Sequence, residues 1–594
     1  MANIPIPFGI RLATFRSTIF MFRTEQNSRH PIGHFHVPYG TRFVTFARNE
    51  IVHRLARGTP LCFAIVFTYP REPLKSAAKL EAPAMKLSSS PRTNSRFHCH
   101  LVRLLLLTGL CLLAPAAQAA DRPNIVWILV DDMSPHFSCY GETTIRTPNV
   151  DQLAAGGTRF ARAFVTAPIC SISRSALLTG CYQTTIGCQN HRSGSARFPI
   201  RLPSNLPTVP QLLKSAGYHT SNVSLDDFLK TNGPVGTAKT DYNFVWDPAA
   251  TYDTNHWSTR SGRPFFVQVQ LHGGKHRGQR PTAAWPNRVR ATLGSVTSTN
   301  DVKLPPYLPD DGVIREDWAQ YLDTVRYTDW EVGQVVKRLQ DAGEFDRTIL
   351  FFWTDHGISH VRNKQFLYDG GIHVPLVVRG PGIQAGKVRE DLVEHIDIAA
   401  ATLGFAGISR PEPMQARNIF AQDYTPRRFV FAARDRADET VDRIRSVRSE
   451  RFKYIRNYYP DRPYLQPNRY KDEKAIVQAM RRLHAAGLLT PAQSLIMAST
   501  RPREELYDLQ NDPHELRNLA EDPAQARVLG EHRRALDQWI STTDDHGRKP
   551  EPEEVYLNYI YDNRPEGGRG QRNPVFETNV QLMLRWTKEK PMRP

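Results

Sequence analysis

Residues 124–132 read NIVWILVDD, an apolar run that stops abruptly at two adjacent acids, Asp131 and Asp132. A continuous run of this kind is the pattern of a strand buried on both faces of a parallel sheet. Two further stretches read the same way: Pro264–Leu271 (PFFVQVQL) and Thr348–Trp353 (TILFFW), the latter continuing through Thr354 into Asp355-His356. Helical patterns lie between them, at Val150–Ala155, Ser175–Leu178, Val209–Ala216 and Trp318–Ala342. Strands alternating with helices predict an α/β fold, a large mixed and mostly parallel sheet sandwiched by helices. The catalytic domain is expected over 120–425.

Beyond it the pattern changes. Phe429–Ala432, Ile444–Val447 and Tyr454–Ile455 read as short strands, and Lys474–Ala486 and Ala524–Ile540 as helices. Arg503–Ala520 reads as a polar connecting loop. A small α+β C-terminal domain is expected over 426–545, followed by an extended tail, 546–594, rich in Pro, Arg and Asn.

The chain has 594 residues, 40% of them hydrophobic and 23% charged, which excludes collagen-like, coiled-coil and wholly disordered classes. A mean hydropathy of −0.46 excludes a multi-spanning membrane protein. The net charge is +18; residues 1–84 hold +7 and 85–119 hold +4, leaving +7 for the rest. That mild excess suits an anionic small molecule or polysaccharide. No basic stripe interleaved with aromatics is present, so no nucleic-acid partner is expected.

From Met85, a basic stretch precedes the apolar core Leu104–Leu113 and small residues ending in Ala117-Gln118-Ala119. This is the layout of a signal peptide, 85–119, with a core too short to span a bilayer. A periplasmic or secreted protein with no stable membrane span after signal removal is expected. Residues 1–84 are patternless and read as a non-functional extension or a mis-assigned start. The mature cysteines are Cys139, Cys170, Cys181 and Cys188; with one of them catalytic, at most one disulfide remains to form.

Parallel strands deliver their carboxyl ends to one edge of the sheet, where ligands of open α/β sheets bind. Carboxylates meeting there repel unless a cation neutralises them, and hard oxygen donors suit Ca²⁺ or Mg²⁺. Asp131, Asp132 and Asp355 are therefore candidate metal ligands. Cys170 in CSISRSALLTG stands at the start of a helix, where free N–H groups favour an anion and lower a thiol pKa.

These segments together (RPNIVWILVDDM at 122, TPNVDQLAAGGTRFARAF at 147, CSISRSALLTG at 170) resemble type I sulfatases of the alkaline-phosphatase superfamily. The resemblance runs to about residue 545 and implies an alkaline-phosphatase-like sheet. It implies that Cys170 is oxidised by a formylglycine-generating maturation enzyme to formylglycine, with Arg174 holding its hydrate. Where the family signature has Pro or Ala, this chain has Ile172. Asp131, Asp132, Asp355 and His356 fall on the family's Ca²⁺ ligands, the fourth of which is often Asn. Lys364 in KQFLYDGG matches the sulfate-contacting lysine, and Lys239 in AKTDYN, ahead of Lys230, the second one. His276 in HGGKHRG, ahead of His272, matches the histidine that protonates the leaving atom. His191 and Arg192 are candidates for substrate contact.

Within the family, the KTDYN segment, the HGGKHRG turn and the stretch 434–458 are most similar to heparan N-sulfatase-like (N-sulfoglucosamine sulfohydrolase-like) members. That likeness implies a sulfated saccharide substrate, carrying a sulfate ester or a sulfamate, with Asp442 or Arg443 near the sugar. Two alternatives stand beside it: a phosphonate or phosphodiester hydrolase of the same superfamily, and an unmodified, inactive sulfoglycan-binding protein.

Overall fold

β1 (Asn124–Val130) is the centre of the main sheet because its residues carry no charge and every one is buried. The computed structural model describes residues 122–278, 282–561 and 574–589; the expected extension and signal peptide lie outside the described residues. β1 pairs in parallel with β4 (Phe265–Leu271) on one side and β5 (Thr348–Thr354) on the other. β3 (His219–Ser224) extends the sheet beyond β4 in the same direction. β6 (His373–Arg379) runs antiparallel to both β5 and β2 (Thr158–Phe164), and β7 (Lys387–Arg389) and β8 (Val393–Glu394) pair with β2. The order is β3-β4-β1-β5-β6-β2-β7, so β6 alone is reversed and the sheet is mixed but mostly parallel. Trp127 makes edge contacts with Phe266 and Trp353, fixing β1, β4 and β5 in register.

The second sheet, antiparallel, is built of β9 (Val430–Arg434), β10 (Ile444–Arg448), β11 (Phe452–Asn457) and β12 (Glu504–Asp508), in that spatial order. β12 lies within the stretch expected to be a loop. Its polar side chains are satisfied from neighbours: Tyr454 donates to Glu504, and Asn457 and Tyr368 donate to Glu505. Among its described residues the tail is largely helical rather than extended. Glu553–Tyr561 and Pro574–Lys588 are helices that bury Tyr556, Tyr559, Ile560, Phe576, Val580, Met583 and Trp586 together. All four cysteines of the described residues are free, so the one disulfide the count allowed is not formed among them. No helix of the described residues is long and apolar enough to cross a membrane.

Candidate active site

Val130 is level with Leu271 on one neighbour and with Thr354 on the other, so three strand ends leave the sheet side by side. Asp355 N–H donates to the Val130 carbonyl at 2.9 Å, and Asp132 N–H to Asp355 Oδ1 at 3.1 Å. Asp132 has φ +53°, a left-handed conformation that turns its carboxylate back over the strand end. After β4, Gly273 (φ +52°) and Gly274 let the chain lie flat on this edge. A Cβ on Gly273 would meet the Asp131 carbonyl oxygen at 2.2 Å, and one on Gly274 the Asp132 carbonyl oxygen at the same distance.

Cys170 is the first residue of the helix Cys170–Thr179, all ten residues of which are buried. Its cap, Ile169, offers no side-chain acceptor, which leaves the positive end of the helix beside the thiol. Cys170 Sγ lies 3.0 Å from His356 Nε2, 3.3 Å from Lys364 Nζ, 3.8 Å from Lys275 Nζ and 3.8 Å from Asp132 Oδ1. Burial pushes the thiol up, but Lys239, Lys275, Lys364 and His356 outweigh it and hold it well below the usual range. The carboxylates are interleaved with these cations. Lys239 and Lys275 reach the two oxygens of Asp131 at 2.9 Å each, and Lys364 reaches Asp132 at 2.9 Å. Burial, with Asp131 adding repulsion, raises Asp355 to about 7.

The structure thus brings Asp131, Asp132, Asp355, His356, Cys170, Arg174, Lys239 and Lys364 together. Arg174, 2% exposed, takes an orienting position beneath the carboxylates. It pairs with Asp131, with Asp355 at 3.1 Å and with Gln270 at 2.6 Å. His191 pairs with Asp438 at 3.1 Å and Arg192 with Asp241 at 3.5 Å, so both are held by acids beside the cluster. Lys230 is outside the cluster, paired with Asp227.

Three of the expected residues are not brought to the thiol. His276 does not reach the thiol: it hydrogen-bonds with Glu331 at 3.2 Å and stacks on Trp285, and Lys275 holds the place expected for it. The tight turn through Gly273 and Gly274 brings round the third residue after His272 rather than the fourth. His272 is exposed beside His276. Asp442 is buried between Arg434 and Arg501, 2.6 Å from the latter, and Arg443 lies over the Tyr458 ring and faces Asp545. Asp442's oxygens are taken by two guanidiniums and Gln466, which places it in the C-terminal domain's own charge network.

Sequence reasoning missed Lys275, Asp241, Asp438 and Tyr470. Lys275 was within reach, inside the HGGKHRG turn. Tyr470 O–H donates to Asp132 at 3.1 Å from the C-terminal domain, and Asp438 (φ +50°) accepts from Gln365 and Tyr559. Nothing local in either segment signals those contacts.

The Sulfatase family model matches residues 123–408, and the model described as N-sulphoglucosamine sulphohydrolase, C-terminal, matches 356–472. An ulvan-active sulfatase of Formosa agariphila is 31% identical over 482 residues, covering 74% of this chain and 78% of that protein. This chain belongs to the sulfatase family. It is a sulfuric ester hydrolase. The human N-sulphoglucosamine sulphohydrolase is 27% identical over 487 residues, covering 74% of this sulfatase and 93% of its own length. The fold is shared with a phosphonate monoester hydrolase of Agrobacterium radiobacter, at a TM-score of 0.51 and 17% identity over 73% of this chain and 99% of that one.

Sulfatases employ a metal ion, and the donors here fit one. Ligand atoms of Asp132, Cys170 and His356 lie within 4.8 Å of one another, as do those of Asp131, Cys170 and Asp355. Three buried carboxylates on one edge form an acidic oxygen-rich set that a divalent cation neutralises, with His356 Nε2 as the single nitrogen.

Proposed function

We propose that this sulfatase is exported and hydrolyses sulfate esters or sulfamates of sugars in sulfated polysaccharides, using a formylglycine made from Cys170 by a maturation enzyme. The observation that carries this reading is the thiol ringed by Lys239, Lys275, Lys364 and His356 at the level ends of β1, β4 and β5. A formylglycine hydrate at this position supplies two hydroxyls on one carbon, one to attack sulfur and one to expel sulfate. Lys275 and Lys364 stand where the non-bridging oxygens of a sulfate at Cys170 collect charge, the arrangement that stabilises a transition state electrostatically. Lys275 is held well above its ordinary value by Asp131 against the opposing effect of burial, so it keeps its proton and acts as a clamp. Asp131, Asp132, Asp355 and His356 would hold a divalent cation, Ca²⁺ by their oxygen content, which adds its charge to the same oxygens. His191 and Arg192 line the approach.

The names of the relatives, ulvan-active sulfatase and N-sulphoglucosamine sulphohydrolase, support a sulfated saccharide. A panel of N- and O-sulfated mono- and disaccharides, assayed for released sulfate, tests the reading alongside peptide mass measurement across Cys170. The aldehyde mass, sulfate release and loss of both release and bound metal in Asp355→Asn are expected. Turnover by an all-thiol enzyme, full activity after exhaustive chelation, or cleavage of phosphonate esters alone would each overturn it.

A further inference from the structure

Lys474 is 4% exposed, yet no carboxylate or carbonyl among the described residues accepts from its ammonium. Its one close partner is the face of the Tyr470 ring, 4.7 Å away. Tyr470 carries Lys364 over its ring at 4.9 Å and donates to Asp132, so Lys474 stands one ring away from the catalytic cluster. The acids within its field are already engaged: Asp317 by Arg277 at 3.4 Å and by His360, and Asp132 by Lys364. Burial, with repulsion from Arg277, pushes Lys474 down to about 7. The stem of Lys474 is packed away while its ammonium carries no carboxylate partner, so an incoming anion can pair with it. On the far side of Arg277 opens a cleft of about 650 Å³, lined by His276, Arg277, Trp285, Arg288 and Glu473. That volume suits a saccharide, with an aromatic wall and cations around it.

We propose that Lys474 is a specificity-determining residue that pairs with a second anionic group, a carboxylate or a further sulfate, on the saccharide whose scissile sulfate lies at Cys170. The neighbouring part of the sugar would occupy the cleft. This inference rests on the reading of the protein as a saccharide sulfatase, and it gives a role to a lysine of the C-terminal domain that stands one ring away from the catalytic cluster.

The test uses the full chain with Lys474→Gln, Lys474→Met and Lys474→Arg. Substrates are a singly N-sulfated glucosamine, the 2-N,6-O-disulfate, and an N-sulfated disaccharide bearing a uronic carboxylate. Lys474→Gln and Lys474→Met are expected to lower the preference for the doubly anionic sugars over the singly anionic one roughly tenfold, through KM, with Lys474→Arg retaining most of it. A loss on the disulfate alone identifies a sulfate as the second group, and a loss on the disaccharide alone a carboxylate. Equal factors on all three substrates would overturn the proposal. Calorimetric binding of the disulfate to Cys170→Ala, with and without Lys474→Gln, decides the point without turnover. Affinity unchanged for the disulfate and, in the same titration, for the uronic disaccharide would also overturn the assignment, whereas failure of the wild type to release sulfate from any sugar would instead reject the sulfatase reading beneath it.

Discussion

Lys275 and His276 are adjacent in sequence and answer to different neighbours. Lys275 loses its place at the thiol only if the turn moves, whereas His276 belongs to an aromatic cluster with Trp285 and Tyr327. Lys275→Ala is expected to lower kcat/KM by ~10²–10³-fold, the scale of removing one preorganised donor. His276→Ala is expected to lower the melting temperature more than the turnover. Steady-state sulfate release and thermal unfolding of both variants check this, and the reverse order would return the catalytic role to His276. Ile172, the departure from the family signature, is 1% exposed and packs with Ala167, Ile169 and the C-terminal Ala437. Its bulk is used in packing, a reason for Ile that the motif alone does not disclose. The identities of Cys170, Lys364 and the acids were legible because each sits in a local pattern. The choice between two adjacent side chains turns on one positive φ, which no pattern displays.

At the scale of elements, strand ends and turns position the chemistry. Gly274→Ala places a Cβ against the Asp132 carbonyl oxygen and is expected to displace Lys275, raising KM and lowering kcat together in steady-state assays. The pair of guanidiniums on Asp442 illustrates the stability side. Burial raises its carboxyl, but Arg501 and Arg434 outweigh this and hold it at about 2. A folded value below the unfolded ~3.9 contributes stability that is present above about pH 4 and lost as pH falls towards 2. Asp442→Asn should remove that acid sensitivity and, by leaving two buried guanidiniums short of charge, cost ~3–5 kcal/mol in urea unfolding at pH 7. The buried parallel strands were legible because a strand covered on both faces needs an unbroken apolar run. The tail helices were misread because composition outweighed spacing: Tyr556, Tyr559 and Ile560 stand at i, i+3 and i+4, and Phe576, Val580 and Met583 at i, i+4 and i+7.

The whole molecule closes the site by bringing distant segments to one sheet edge. The tail reaches it through Tyr559, which donates to Asp438 at 3.2 Å, while Arg436 packs against Tyr559 and pairs with Glu551. Truncation after Lys549 leaves Arg436 and Arg462, both almost fully buried, without Glu551 and Glu589. It is expected to lower the unfolding temperature and to raise KM as Asp438 and His191 loosen, read by calorimetric unfolding and kinetics. The sequence by itself determined the fold class, the β-strands that carry the acids, the helix that begins at Cys170 and the family, because all of these are written in contiguous patterns of apolar and polar residues. Tertiary structure alone decided that Lys275 rather than His276 faces the thiol. It likewise placed Asp442 in a buried ion pair, and Tyr470 and Lys474 from the second sheet's domain at the wall of the site. Those outcomes depend on backbone turns and on contacts between segments up to 338 residues apart, and no local spacing encodes such a meeting.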